Sequence, residues 1–106
     1  PLIIKVKGGL RKVAASDIVT IESFNRRRGI TLLSGEQIET GTTLAALHEL
    51  LSDDERFFMP HRAYIVNLEH ISSIIGSDIL MCDGQRIPIS RSCGKDLKDA
   101  YLKFLF

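Results

Sequence analysis

Residues 57–71, which read FFMPHRAYIVNLEHI, decide the fold of this chain. A basic pair, His61-Arg62, stands shortly before the apolar residues Tyr64 to Val66, and Asn67 follows them. An apolar run of this length predicts a buried β-strand with a polar tip at its head. A strand anchored in a core is a rigid support that presents such a tip to a partner molecule.

The rest of the chain also consists mostly of short apolar runs bounded by turn residues, which predict β-strands. Asp83-Gly84 lies between two such runs and predicts a tight hairpin. Pro88 has no N–H to donate to a sheet, so its strand should lie at an edge or a bulge. We predict strands at residues 2–6, around Val13, and at 17–23, 29–33, 37–40, 63–67, 71–75, 79–82 and 85–89, with residues 24–28 as a basic loop.

Helical spacing of apolar residues occurs in two places only. Leucines at 44, 47, 50 and 51 predict a short amphipathic helix that ends near Ser52, with Thr42 or Thr43 as its N-cap. The spacing of Leu97 and Tyr101 predicts a second short helix over residues 95–106. The fold class is therefore mainly β with one or two short helices.

Length and composition predict one globular domain that covers residues 1–106. The chain is 44% hydrophobic and 25% charged, which is near the average for globular proteins. No apolar run approaches the roughly 18 residues that a membrane span requires, and no secretory pattern is present. We therefore expect a cytoplasmic protein with no membrane partner, whose two cysteines are reduced.

The net charge is only +1, but the charges are unevenly distributed. Arg26, Arg27 and Arg28 are consecutive and no acidic residue occurs between Ser23 and Gly35, whereas residues 53–55 are all acidic. A nearly neutral protein with this distribution can carry one basic face, which is typical of proteins that bind phosphate groups.

Three basic segments precede or follow predicted strands, and each has a simpler interpretation. The arginine run could be a solvated loop, His61 could bind backbone, and Arg62 and Arg91 could point into solvent. Arginine also binds phosphate or a guanine edge in bidentate fashion. Because three such tips come from distant parts of the chain, we interpret them as one composite surface.

The sequence offers little evidence for catalysis or for a cofactor. Ser92 to Lys95 matches the serine-x-x-lysine spacing of some acyl-transfer enzymes, but without partner motifs we interpret it as the start of a helix. The cysteines and histidines lack the short spacing that holds a metal ion. We predict no enzyme activity, no cofactor and no metal site.

Residues 58–68, then His70-Ile71 and Ile87 to Arg91, closely resemble the LytTR family of bacterial DNA-binding domains. The resemblance extends to Asp17 to Val19 with Glu22-Ser23 and to the leucine-rich helix, so it covers essentially the whole chain. It implies an elongated fold of about ten short strands in three antiparallel sheets.

The resemblance also implies a function. Such domains are output domains of response regulators in two-component systems, with a receiver domain upstream, and they control transcription. They bind imperfect direct repeats in double-stranded DNA, insert loops into successive major grooves and bend the duplex. On a repeated site we expect a homodimer on DNA.

By the same resemblance, the base-contacting residues are Arg27, Arg62 and Arg91. The family often has arginine where this chain has Met59-Pro60, so one phosphate contact is missing here. The residues expected to form or support the DNA-binding loops are Asn25, Arg26, Arg28, His61, Ser90 and Ser92. The candidates for phosphate contact, unranked, are Lys5, Lys7, Lys12, Lys95 and Lys98.

One alternative of a different class stays open from the sequence. The same basic tips could belong to a protein-interaction module that presents a basic loop face to an acidic partner. That module would not distinguish a specific DNA sequence from a random duplex at matched salt.

Overall fold

Ten β-strands and two α-helices make up the computed structural model, which describes all residues 1–106. Three single 3₁₀ turns connect some of these elements. The strands are β1 (Leu2–Val6), β2 (Gly9–Val13), β3 (Ile18–Phe24), β4 (Arg27–Leu32), β5 (Gln37–Thr40), β6 (Phe57–His61), β7 (Tyr64–Asn67), β8 (Ile71–Ile75), β9 (Asp78–Met81) and β10 (Arg86–Pro88); the helices are α1 (Leu44–Leu50) and α2 (Gly94–Leu105).

The strands form three antiparallel sheets, as predicted. The largest has five strands in the order β5-β4-β3-β7-β6, β1 pairs with β2, and the third sheet has the order β10-β9-β8. The overall dimensions are 40 × 28 × 24 Å, so the domain is elongated. The mainly-β fold class predicted from the sequence is confirmed.

The five-stranded sheet is covered on both faces by two separate cores. One core packs the sheet against the β1–β2 hairpin and α1, with Ile4, Ile21, Ile65 and Leu47 among its members. The other packs the opposite face against the three-stranded sheet and α2; its members are Val19, Val66, Leu68, Ile71, Ile79, Met81, Ile87 and Leu97. A sheet that is buried on both faces fixes its strands firmly in register.

A β-bulge in β3 explains how this strand supplies both cores. Ile18 and Ile21 are three residues apart and would point to opposite faces of a regular strand, yet both belong to the first core. The register shifts between Ile18 and Thr20, and Val19 turns to the second core. An extra residue in one strand has this effect on the alternation of side chains.

Local sequence signals account for the ends of several elements. Thr43 is the N-cap of α1, where its hydroxyl accepts a hydrogen bond from the Ala46 N–H at 3.1 Å. The strand that contains Pro88 is an edge strand, as predicted. β6 contains Pro60 and is also an edge strand, but the sequence analysis did not predict a strand there.

Neither helix is long and apolar enough to span a membrane.

Asn67, at the end of β7, joins β3 to the connection that follows β7 from a fully buried position. Its side-chain amide N–H donates to the Ile18 carbonyl at 2.9 Å, and its side-chain oxygen accepts from the Glu69 N–H at 2.9 Å. Ile18 is the first residue of β3, and Glu69 lies in the 3₁₀ turn Leu68–His70 after β7. This residue therefore satisfies polar groups on β3 and on the connection from β7 to β8.

Replacing Asn67 by Ala should lower the free energy of unfolding by about 2 kcal/mol, because it leaves buried backbone groups without a partner. Urea denaturation monitored by circular dichroism measures this change. Ser72→Ala is the matched control, since Ser72 is exposed and its side chain makes no hydrogen bond, and it should stay within about 0.5 kcal/mol of the wild type. An Asn67→Ala protein as stable as this control would contradict the assigned role.

Candidate nucleic-acid interface

Two tight turns lie side by side at one end of the five-stranded sheet. Residues 25–26 join β3 to β4, and residues 62–63 join β6 to β7. Since β3 pairs with β7 and Glu22 is opposite Tyr64, the two turns emerge from neighbouring strands. The Ser23 N–H donates to the Ala63 carbonyl at 2.8 Å and joins the turns directly.

The segment after β10 is the third member of this row. The Ser90 N–H donates to the Pro60 carbonyl at 2.9 Å, so residues 89–92 lie beside β6. The structure thus places the three predicted contact segments next to one another in the order 25–28, 61–63 and 89–92. We call this surface, made of those three segments, the basic end.

The first turn is shorter than the sequence analysis predicted. Residues 24–28 were expected to form a loop, but only Asn25 and Arg26 do so, with φ values of 44° and 62°. Two successive residues with positive φ are typical of a type I′ hairpin turn, and Asn tolerates this conformation well. Arg26 is therefore at the exposed tip, while Arg27 and Arg28 belong to β4.

Arg28 is fastened to the protein and is not free to bind a ligand through all its donors. Its Nε donates to the Thr42 carbonyl at 2.8 Å, and its Nη2 donates to the carbonyls of Gly41 at 2.9 Å and Arg26 at 3.1 Å. These bonds hold the turn against the chain that leads from β5 to α1. Arg28, which the sequence placed in a loop, is thus a strand residue that supports the turn.

Arg27 has a different partner on the neighbouring strand. Its Nε donates to Glu39 Oε1 at 2.7 Å, and the two side chains are 41% and 59% exposed. Its Nη1 and Nη2 atoms make no hydrogen bond within the protein. An exposed ion pair of this kind stabilises the fold by only about 0–1 kcal/mol.

His61 supports the second turn, as the sequence analysis expected. Its Nδ1 accepts a hydrogen bond from the Ala63 N–H at 3.1 Å, and its ring packs edge-on against Tyr64, with 5.7 Å between the ring centroids. Arg62 at the tip is exposed and its side chain makes no hydrogen bond. Arg91 is also exposed, and its side chain makes no hydrogen bond. It is the first residue of the 3₁₀ turn Arg91–Cys93, and it lies between Ser90 and the exposed Ser92.

The structure separates the five lysines that the sequence could not rank. Lys5 and Lys7 line an open cleft of about 750 Å³ together with Arg27 and Glu39. Lys98 lines a smaller cavity of about 180 Å³ with Arg91. Lys12 lies on the exposed face of β2 and Lys95 on the first turn of α2, and neither lines these cavities.

The acidic residues 53–55 lie away from the basic end. They lie just before Arg56 and Phe57, where β6 begins, whereas β6 ends at His61 in the basic end. A strand of this length separates the two by about 15 Å.

Elsewhere in the fold, no group of three or more His, Cys, Asp or Glu side chains is arranged to hold a metal ion.

A hydrogen bond between Tyr64 and Glu22 lies just below the two turns. The Tyr64 hydroxyl donates to Glu22 Oε1 at 3.0 Å. Burial of the ring, and then the hydrogen bond and negative charge of Glu22, raise the pKa of Tyr64 above its ordinary value. Sequence reasoning missed Glu22, Glu39 and Gly41, because their roles depend on which strands become neighbours.

The comparisons with known proteins agree with this architecture. The family model of the LytTr DNA-binding domain matches residues 8–101. Two curated relatives are sensory transduction proteins LytT: that of Bacillus subtilis (strain 168) is 36% identical over 61 residues, and that of Oceanobacillus iheyensis is 36% identical over 88 residues. These alignments cover 53% and 73% of this chain but only 25% and 35% of the relatives.

A solved structure has the same fold. It is the LytTr DNA-binding domain of a Bacillus cereus protein described as a methyl-accepting/DNA response regulator, and it superposes with a TM-score of 0.76. The match covers 93% of this chain and 94% of that one at 23% sequence identity. At this identity the likeness establishes the three-sheet fold.

Replacing Glu22 by Gln should lower the pKa of Tyr64 relative to the wild type, because the negative charge that disfavours tyrosinate is removed. Tyrosinate absorbance during an alkaline titration of the variant and the wild type measures this change.

The sign of the effect on stability follows from the raised pKa of Tyr64. Its contribution to the free energy of unfolding is complete below about pH 10, the unfolded value, and is lost as the pH rises through the folded value. Tyr64→Phe should therefore lose less stability than the wild type above pH 10. Identical alkaline profiles for the two proteins would refute this linkage.

Proposed function

The chain belongs to the LytTR family of DNA-binding domains, and on that premise we propose that it binds double-stranded DNA sequence-specifically as the output domain of a bacterial transcription regulator. One observation supports this best: Arg26, Arg62 and Arg91 are exposed on three adjacent segments and make no side-chain hydrogen bond within the protein. Unpaired guanidinium groups on rigid supports are suited to bind phosphates and base edges.

The dimensions of the turns suit the major groove. Two paired strands are about 5 Å apart, and a two-stranded ribbon fits into a groove about 12 Å wide. Both the turn at 25–26 and the turn at 62–63 close such a ribbon with two residues. Side chains at these tips would therefore reach base edges without rearrangement of the backbone.

The spacing of the three segments also bears on how they contact successive major grooves of DNA. The two turns are two strand spacings apart, about 10 Å, whereas one helical turn of DNA spans about 34 Å. Entry of the three segments into successive major grooves therefore requires a duplex that bends toward the basic end, with Arg27 and Arg91 as the outer base contacts and Arg62 as the middle one.

The wider architecture is part of the same proposal. The curated relatives are sensory transduction proteins of which the aligned regions make up only 25% and 35%, which supports a receiver domain upstream of this chain. Binding to imperfect direct repeats would place two copies on one DNA site. A homodimer on DNA is accordingly expected.

Selection of bound sites from a pool of random duplexes tests the proposal. An enriched motif, preferred over random duplex at two salt concentrations, is the expected result. Equal binding of all duplexes at matched salt would refute specific recognition and favour a protein-interaction module with an acidic partner.

Replacing Arg27, Arg62 or Arg91 by Ala should each reduce the preference for the selected site by roughly 1–3 kcal/mol, because a bidentate base contact is lost. Fluorescence anisotropy with selected and random duplexes measures the ratio of the two affinities. Arg11→Ala is the matched control, since Arg11 is also exposed but pairs with Glu36 beyond the far end of the sheet. If all three variants kept the wild-type ratio, the assigned base contacts would be wrong.

Replacing Lys7 or Lys98 by Ala should lower the affinity for selected and random duplexes alike, because a phosphate contact carries no sequence information. Each variant should reduce the slope of log affinity against log salt by about 0.9. Lys103→Ala serves as the control, because Lys103 lies beside Glu55, outside the basic end. An unchanged slope in both test variants would exclude these two phosphate contacts.

A further inference from the structure

The donors of each guanidinium group distinguish Arg27 from the other paired arginines. Arg11 uses both Nη1 and Nη2 to bind Glu36, each at 2.7 Å, so the fork at its tip is occupied. Arg28 and Arg56 each use Nε together with Nη2, and Arg86 uses Nη1 to bind Asp78. Arg27 is held through Nε alone, by Glu39, so both terminal nitrogens stay available.

A second contact restricts the same side chain. An ideal Cβ built on Gly41 would lie only 3.1 Å from Arg27 Nη1, so the guanidinium group rests close against the Gly41 backbone. A Cβ at position 41 would require this guanidinium group to shift by a few tenths of an ångström. The hydrogen bond that Arg27 Nε donates to Glu39 and the close approach to Gly41 together restrict the orientation of the Arg27 side chain.

We propose that Glu39 is a specificity-determining residue, which holds Arg27 through Nε so that its Nη1–Nη2 fork meets a base edge in a single orientation. This inference rests on the proposed function of Arg27 as a base contact. Glu39 itself is a positioning residue that does not touch the bases. The ligand class that it helps to select is a base pair that offers two acceptors in the major groove, such as guanine O6 and N7.

Two opposite effects of Glu39 make the proposal testable. Its carboxylate is next to the cleft that Lys5 and Lys7 line, so it repels the phosphates of any duplex bound there. It also limits the rotamers of Arg27 before DNA binds, whereas an unpaired arginine loses its rotamer freedom only on binding. Removing Glu39 should therefore raise affinity for all DNA but reduce discrimination between sequences.

The experiment compares Glu39→Ala and Glu39→Gln with the wild type, using selected and random duplexes at two salt concentrations. Glu39→Ala should bind random duplex about threefold more tightly, and its ratio of selected to random affinity should fall about tenfold. Glu39→Gln should also bind random duplex more tightly but keep most of the ratio, because its side-chain oxygen still accepts from Arg27 Nε.

Two further variants separate positioning from charge. Gly41→Ala changes no charge, so it should lower the ratio while affinity for random duplex stays constant. Glu36→Ala removes the equivalent carboxylate of the Arg11 pair, away from the basic end, and should change neither quantity. Thermal unfolding of each variant verifies that the fold is intact.

Three results would overturn the proposal. One is a Glu39→Ala ratio equal to that of the wild type, which would make Glu39 only a repelling charge. Another is a salt slope steeper by about 0.9 with an unchanged ratio, which would mean that Arg27 had moved to a phosphate. The third is a further fall in the ratio when Glu39→Ala is added to Arg27→Ala, since Glu39 would then act without Arg27.

A failure of the proposed function would look different. In that case the wild-type protein itself would show no preference for any duplex, and Arg27→Ala would change nothing. If the wild type prefers its selected site and Arg27→Ala loses this preference, only the role of Glu39 is under test.

Discussion

The antiparallel pairing of β3 with β7 is the constraint on which the whole basic end depends. It places Thr20 opposite Val66, Ile21 opposite Ile65 and Glu22 opposite Tyr64. A slip of one residue would turn every buried side chain of one strand to the wrong core. Because both faces of this sheet are buried, the hydrophobic cores also determine where the turns at 25–26 and 62–63 meet.

Much of the fold could be predicted from the sequence because its signals are local. Asp83-Gly84, the leucine spacing of α1 and the edge position of Pro88 each depend on a few neighbouring residues. The length of the loop that contains the arginines could not be predicted from such local signals. Three consecutive charges suggest a loop, yet Arg27 and Arg28 are the first residues of β4. At the end of a sheet their long side chains can turn toward solvent or toward neighbouring strands.

The partners of the arginines depend on strand order, which the sequence does not contain. Arg28 binds carbonyl groups at residues 41 and 42 because β5 ends beside the start of β4, with Thr40 opposite Arg28. Glu39 reaches Arg27 for the same reason. Three arginines that are equivalent in the sequence therefore become a support, a positioned side chain and an exposed tip. The positions of the lysines also depend on the fold, since the β1–β2 hairpin meets the cleft only after folding.

The separation of charge explains how a domain with a net charge of only +1 can attract DNA. Opposite charges on one small protein cancel at long range, so the total charge alone predicts weak attraction. At physiological salt, however, the Debye length is about 8 Å, and the acidic residues 53–55 lie about 15 Å from the basic end, the length of β6. A charge at the basic end is therefore influenced by the groups near it, the arginines and lysines together with Glu39, and only weakly by residues 53–55. The same strand that supports the turn at 62–63 thus also keeps the acidic residues 53–55 too far away to cancel the charge of the basic end.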